Sequence, residues 1–185
     1  MQFLKIQNIQ NMTHPNMYYI CIYVYPLFMT SRRYFSAGIS HAQSFIIFGG
    51  NEVGGRGALK STEIITEESV RRGPEMPVKV FRHAVADVNE TTSILTGGCT
   101  DGIGVEQFRN LNKTWFFNHV SQQFQTGPHL ITGRYDHTSA TMQDKVTMEN
   151  IVAVFGGFKG TTPDAYLDSV ELLINGESEW QQGKE

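Results

Sequence analysis

Three times along this chain an apolar run ends in a pair of glycines: FIIFGG at residues 45–50, SILTGG at 93–98 and VAVFGG at 152–157. One doublet reads as a turn or a phosphate loop, but three in the same setting read as a structural device. They begin at Gly49, Gly97 and Gly156, at intervals of 48 and 59 residues. Self-similarity on that scale marks a chain built from one repeated supersecondary unit, so the unit has to be defined before any isolated motif is weighed.

Two further markers keep phase with Gly49-Gly50, Gly97-Gly98 and Gly156-Gly157. In GPEMPVKVFRHA (73–84) and GPHLITGRYDHT (127–138), a proline precedes a histidine by nine residues, Pro74 to His83 and Pro128 to His137. Pro26 continues the series at the front, standing six residues before Arg32 as Pro128 stands before Arg134, with Phe35 at the histidine place. In FFNHVSQQFQTG (116–127) and LLINGESEWQQG (172–183), the pairs Phe117/Phe124 and Leu173/Trp180 each enclose six residues. The second member of each pair lies three before a glycine. IITEESVRRG (64–73) is a degenerate version, with Val70 at the tryptophan place.

Each unit reads as four short strands. The first follows the histidine place, the second ends in the glycine doublet, and the third and fourth contain the spaced hydrophobic pair. Turn formers such as Asn89-Glu90 and Asn175-Gly176 separate them. No segment keeps a helical period over three turns, so the expectation is an all-β chain. Its units run 26–79, 80–133 and 134–185. The tract before them, 1–25, contains part of MYYICIYVYPLFM (17–29). Thirteen residues are fewer than the roughly 20 that a membrane-spanning helix needs. The β-branched and aromatic content suits a buried strand, the last of a preceding unit, with a signal or leader segment as the other reading.

This ordered set of markers resembles the kelch repeat, over nearly the whole chain from Pro26 onward. The resemblance implies a β-propeller of four-stranded antiparallel blades, in which glycine lets inner strands approach closely. It implies that Trp180, Phe124, Phe117 and Leu173 lie between sheets, where burying each contributes roughly 1.5–3 kcal/mol. Arg134, His83 and His137 are expected at the joins between blades, hydrogen-bonding backbone. Val70, Phe124 and Phe35 depart from the family pattern. Propellers close with typically about 4–8 blades. Three units are therefore expected to form part of a ring, completed by further blades or another copy.

The remaining features carry little chemistry. The net charge of −3, from 15 basic and 18 acidic residues, offers no footprint for nucleic acid. The six histidines and two cysteines have no metal-ligand spacing, and no cofactor is expected. GGNEVGGRG (49–57) lacks the lysine and serine or threonine of a phosphate loop. Cys99 has no local base, and Asp136 and His137, being adjacent on a strand, should face opposite ways. The compartment leans to the cytoplasm, although three sequons (Asn11, Asn89, Asn112) leave secretion open.

The expected function is therefore non-catalytic protein binding. In kelch propellers, loops around one face of the disc hold partner proteins. The loops after the doublets supply Arg56, Phe108, Arg109, Lys159 and Tyr166, side chains suited to such contacts. Two other readings are a segment of a propeller enzyme (an oxidase or sugar-processing enzyme) and a ubiquitin-ligase substrate adaptor. The first needs titratable or metal-binding residues converging on the axis, and the second a BTB-type dimerisation domain.

Overall fold

The computed structural model describes residues 2–8, 20–53, 57–101, 108–160, 162 and 165–183, with backbone alone for 2–8, 20–26 and 108. Short β-branched and aromatic runs form strands, and the turn residues between them bring consecutive strands together antiparallel. The chain is all-β, with no α-helix among the described residues.

Strands β1 (Gln2–Asn8) and β2 (Ile20–Pro26) pair as a ribbon of their own, Gln2 opposite Pro26 and Asn8 opposite Ile20. Residues 20–26 of the apolar tract thus form a strand, paired with β1 in a two-stranded ribbon. β3 (Arg33–Tyr34) leads into the first sheet. There β4 (Ala37–His41) and β5 (Ser44–Phe48) form a hairpin, β6 (Asn51–Glu52) turns back to pair with β3, and β7 (Thr62–Thr66) and β8 (Val70–Arg72) complete the order β4-β5-β7-β8.

The second sheet repeats this with β9 (Ala84–Asn89) and β10 (Thr92–Thr96), the small ribbon β11 (Cys99–Asp101) and β12 (Phe108–Asn110), then β13 (Thr114–Asn118) and β14 (Gln123–Thr126). The third contains β15 (Thr138–Gln143), β16 (Asn150–Phe155), β17 (Val170–Ile174) and β18 (Gln181–Gln182) in chain order. The first strands β4, β9 and β15 lie side by side. The described sheets do not close into a ring.

The cross-strand register explains the spaced hydrophobic pairs. Ile65 faces Val70, Phe117 faces Phe124, and Leu173, next to the Leu172–Gln181 pair, falls opposite Trp180. The cores lie between sheets. Ile46, Phe48 and Ile64 of the first pack with Leu95, Trp115 and Phe117 of the second. Ala86, Val88 and Ile94 of the second pack with Val152, Val154, Leu173 and Trp180 of the third. The Trp180 indole N–H donates to the Pro128 carbonyl at 3.0 Å, so the ring is buried without an orphaned donor.

Gly97 and Gly98 have φ of 56° and 89°, the left-handed region where a side chain is strained. A Cβ on Gly98 would stand 2.8 Å from the His83 Cβ, and one on Gly97 would stand 2.8 Å from the His137 Cε1. The doublet therefore passes beneath a join segment on either side. The amide of Gly98 donates to the Arg134 carbonyl at 2.8 Å, as that of Gly50 does to the Val80 carbonyl at 2.9 Å.

These contacts align the three joins, and they shift the first by one residue. Gly50, Gly98 and Gly157 each approach the β-carbon of one join residue: Ser36, His83 and His137. Ser36, not Phe35, therefore holds the histidine place. Likewise Arg33, not Arg32, matches Arg134. Arg33 Nη1 donates to the carbonyls of Gly49 (2.8 Å) and Ser61 (3.0 Å), and its guanidinium pairs with Glu63. Arg134 Nη1 donates to Gly156 (2.8 Å) and Ser169 (3.2 Å), and its Nη2 meets Glu171 at 2.5 Å. Both carboxylates are fully buried, and each accepts two backbone N–H groups: Thr30 and Ser31 for Glu63, Ile131 and Thr132 for Glu171. The ion pair thus ties the first and third joins to the third strand of their own sheets, with both charges partnered. In the second sheet Val80 and Trp115 occupy these two places and join the apolar core instead.

A candidate binding face at one end of the sheets

At one end of the sheets the three joins run in series. Phe35, Arg82 and Asp136 occupy equivalent places, each with left-handed φ (54°, 57° and 51°). The Arg82 amide donates to the Phe35 carbonyl at 2.8 Å, and the Asp136 amide to the Arg82 carbonyl at 3.0 Å. These bonds stitch neighbouring sheets together. They also hold three side chains in a row, keeping the backbone in a left-handed conformation that it would otherwise leave.

Each join also pairs with the segment that follows its own doublet: Tyr34 with Asn51, Phe81 with Cys99, and Tyr135 with Phe158. Aromatic rings therefore collect along this end. Tyr34 meets Phe35 edge-on with centroids 4.9 Å apart. The Arg82 guanidinium carbon lies 4.3 Å from the Phe35 ring centre and 5.6 Å from that of Tyr135. Tyr135 stacks on Phe158 at 5.5 Å, and Phe158 meets Tyr166 at 4.5 Å. The result is a continuous strip, Tyr34–Phe35–Arg82–Tyr135–Phe158–Tyr166, crossing all three sheets. Tyr34 is 44%, Phe35 46% and Tyr166 69% exposed. Arg82 Nη1 also pairs with Asp136 at 2.7 Å. Beneath the strip lies a small core of Ala58, Phe81, Cys99 and Tyr135, with Phe158 against it.

Of the loop residues singled out by sequence, Tyr166 ends the strip, and the exposed Lys159 follows Phe158 directly. Arg109 is exposed on β12, opposite Thr100. Phe108 lies opposite Asp101, but its side chain is outside the described residues, as is the whole of Arg56. Reading the loops alone missed Tyr34, Phe35, Arg82, Tyr135 and Phe158. A signal existed: RYFS (33–36), VFRH (80–83) and RYDH (134–137) align into an aromatic column and a column of Phe35, Arg82 and Asp136. The one-residue slip at Arg32 concealed it.

The titratable groups are disposed for packing. Burial pushes the Cys99 thiol up to about 12, despite the opposing charge of Arg82. A thiol held protonated and buried is a poor nucleophile. His137 Nε2 bonds Thr96 Oγ1 across the sheet boundary at 2.9 Å, whereas neither ring nitrogen of His83 has a partner among the described residues. The Arg134 guanidinium bonds backbone carbonyls of its own sheet, while its main-chain carbonyl accepts from Gly98 across the join. Burial is the main reason both imidazoles stay neutral, His83 lowered to about 3 and His137 to about 4.

At the opposite end, Ser93 Oγ donates to Asp87 Oδ1 at 2.7 Å and lies 2.6 Å from His119 Nε2. With the serine proton given to Asp87, the imidazole must donate to Ser93, leaving Nδ1 buried and unpartnered. That wiring is the reverse of a nucleophilic triad, where the imidazole accepts the serine proton. His41 stacks on His119 at 3.9 Å and bridges the first and second sheets there. Among the described residues no group of three or more His, Cys, Asp or Glu is placed to hold a metal ion, and no helix is long and apolar enough to cross a membrane.

No protein-family model matches the chain, and no curated protein matches it.

Proposed function

We propose that the chain is a segment of a kelch-type β-propeller, each four-stranded sheet a blade, which binds a partner protein without catalysis. The repeated strand order, the side-by-side first strands and the glycine doublets beneath the joins all support the blade reading. The observation that carries the binding role is the strip from Tyr34 to Tyr166. It combines exposed aromatic rings and an arginine, residue types that supply much of the energy at protein interfaces. It also stands on backbone tied together by inter-sheet hydrogen bonds, so partner binding needs little rearrangement.

The test is affinity capture from the native source with two double variants, Phe35→Ser/Tyr166→Ser in the strip and Phe108→Ala/Arg109→Ala in the neighbouring ribbon. The strip variant should lose the captured partner while its melting temperature stays within a few degrees of the parent. The ribbon variant should weaken capture. Full retention by the strip variant would refute the assignment.

A further inference from the structure

We propose that the outer faces of the first and third sheets are two halves of one interface, and that two copies of this chain join there, head to tail and twice over, to close a ring of six sheets. The idea rests on the propeller reading above.

The repeat uses one set of positions at both internal boundaries. Gly49 lies beneath the Val80 carbonyl, a Cβ there standing 3.2 Å from the His83 Cε1. Gly97 lies beneath the Arg134 carbonyl and the His137 ring in the same way. Gly156 adopts a similar φ, 58°, but among the described residues a Cβ on it would meet only the Leu167 carbonyl of its own sheet. Among the described residues the third sheet therefore presents the receiving face of the repeat with no join above it. Met142, at 45%, and Phe155, at 37%, stand exposed there.

The first sheet has the matching features of an incoming face. Its buried Arg33–Glu63 pair reproduces the Arg134–Glu171 pair of the third, the sheet that docks on the second. Side-chain volumes at the two faces are compatible with this pairing. At the boundary between second and third sheets, Thr96 meets His137. At the proposed boundary the equivalent residues are Phe155 and Ser36, a larger side chain opposite a smaller one. The incoming face exchanges volume in the same way, with Phe45 where the third sheet has Val152 and Val70 where it has Trp180. Phe45 is 37% exposed, so an apolar residue is available on this side too. Two copies give six sheets, within the roughly 4–8 of closed propellers, and a two-fold ring leaves no open face.

The experiment is light scattering coupled to size exclusion on the 185-residue chain, with the Phe155→Asp and Tyr166→Ser variants alongside. The expected mass is twice that of the 20.8 kDa chain. Phe155→Asp should convert it to monomer with an unchanged far-ultraviolet strand spectrum, and Tyr166→Ser should leave the dimer intact. Because Phe155→Asp could unfold the chain, a second variant is included: Ser36→Cys/Phe155→Cys, treated with a short thiol cross-linker. It should give a covalent dimer that neither single cysteine gives as a closed, doubly linked species. A parent chain that is monomeric, trimeric or filamentous overturns the proposal, including the case in which further sheets of a longer chain cover these faces. So does a dimer indifferent to Phe155→Asp. A monomer that still captures its partner through Tyr166 overturns ring closure and leaves the proposed function standing.

Discussion

Acid should loosen this protein through two histidines. His83 and His137 are 6% and 8% exposed, one at each boundary between sheets. Burial, reinforced for His83 by the charge of His137, lowers it from 6.5 to about 3. Burial, reinforced by Arg134 and opposed by the bond to Thr96, lowers His137 to about 4. In the unfolded chain both titrate near their ordinary 6.5, so below that pH the unfolded state binds protons that the folded state does not. Stability is therefore complete above about pH 6.5 and falls with pH, until the loss levels off near 4 for His137 and near 3 for His83. Each pH unit is worth about 1.4 kcal/mol per group, so at pH 5 each histidine removes about 2 kcal/mol and the pair about 4. That is a large part of a typical 5–15 kcal/mol. His83→Leu isolates the effect. Among the described residues both nitrogens of His83 lack partners, so an apolar replacement of similar size should be neutral or stabilising at pH 7.5. Urea titrations at pH 7.5 and 5.0 should give a difference for His83→Leu about 2 kcal/mol smaller than for the parent. Equal differences would show that protonation of His83 does not load the first boundary.

Two further outcomes follow from the joins. Arg134→Met leaves the buried Glu171 carboxylate without its cation and should cost about 3–5 kcal/mol; Arg134→Val with Glu171→Trp, copying Val80 and Trp115 of the second sheet, should recover most of it in a urea-monitored double-mutant cycle. Gly98→Ala forces a methyl into left-handed backbone 2.8 Å from the His83 Cβ and should cost about 2–5 kcal/mol, whereas Gly160→Ala, whose added methyl meets the Ala165 Cβ at 3.5 Å and nothing nearer among the described residues, should stay within about 1 kcal/mol by thermal melting.

Much of the architecture was legible because it is local. Strand and turn chemistry recur at fixed spacings, so the doublets, the hairpins and the pairs Phe117/Phe124 and Leu173/Trp180 can be read without knowing what packs on what. A hairpin holds its two strands in register, which makes six intervening residues a geometric statement. The N-terminal tract shows the limit of such reading. Its β-branched run does form β2, but strand propensity carries no information about the partner, and the partner is β1.

The all-β character and the four strands of each unit follow from local residue pattern, whereas β1 and the short strands β3, β6, β11 and β12 do not. How the units are phased and what their joins do depends on contacts between sheets. In SRRY either arginine could serve, and the carboxylate that selects Arg33 belongs to Glu63, thirty residues on and in another strand. The strip from Tyr34 to Tyr166 was hidden for the same reason. Phe35, Arg82 and Tyr135 stand in three different joins and become neighbours only when inter-sheet hydrogen bonds bring Phe35, Arg82 and Asp136 into line. Spacing records contacts within a hairpin, whereas a contact between sheets depends on how the sheets stack, which no single stretch of chain encodes.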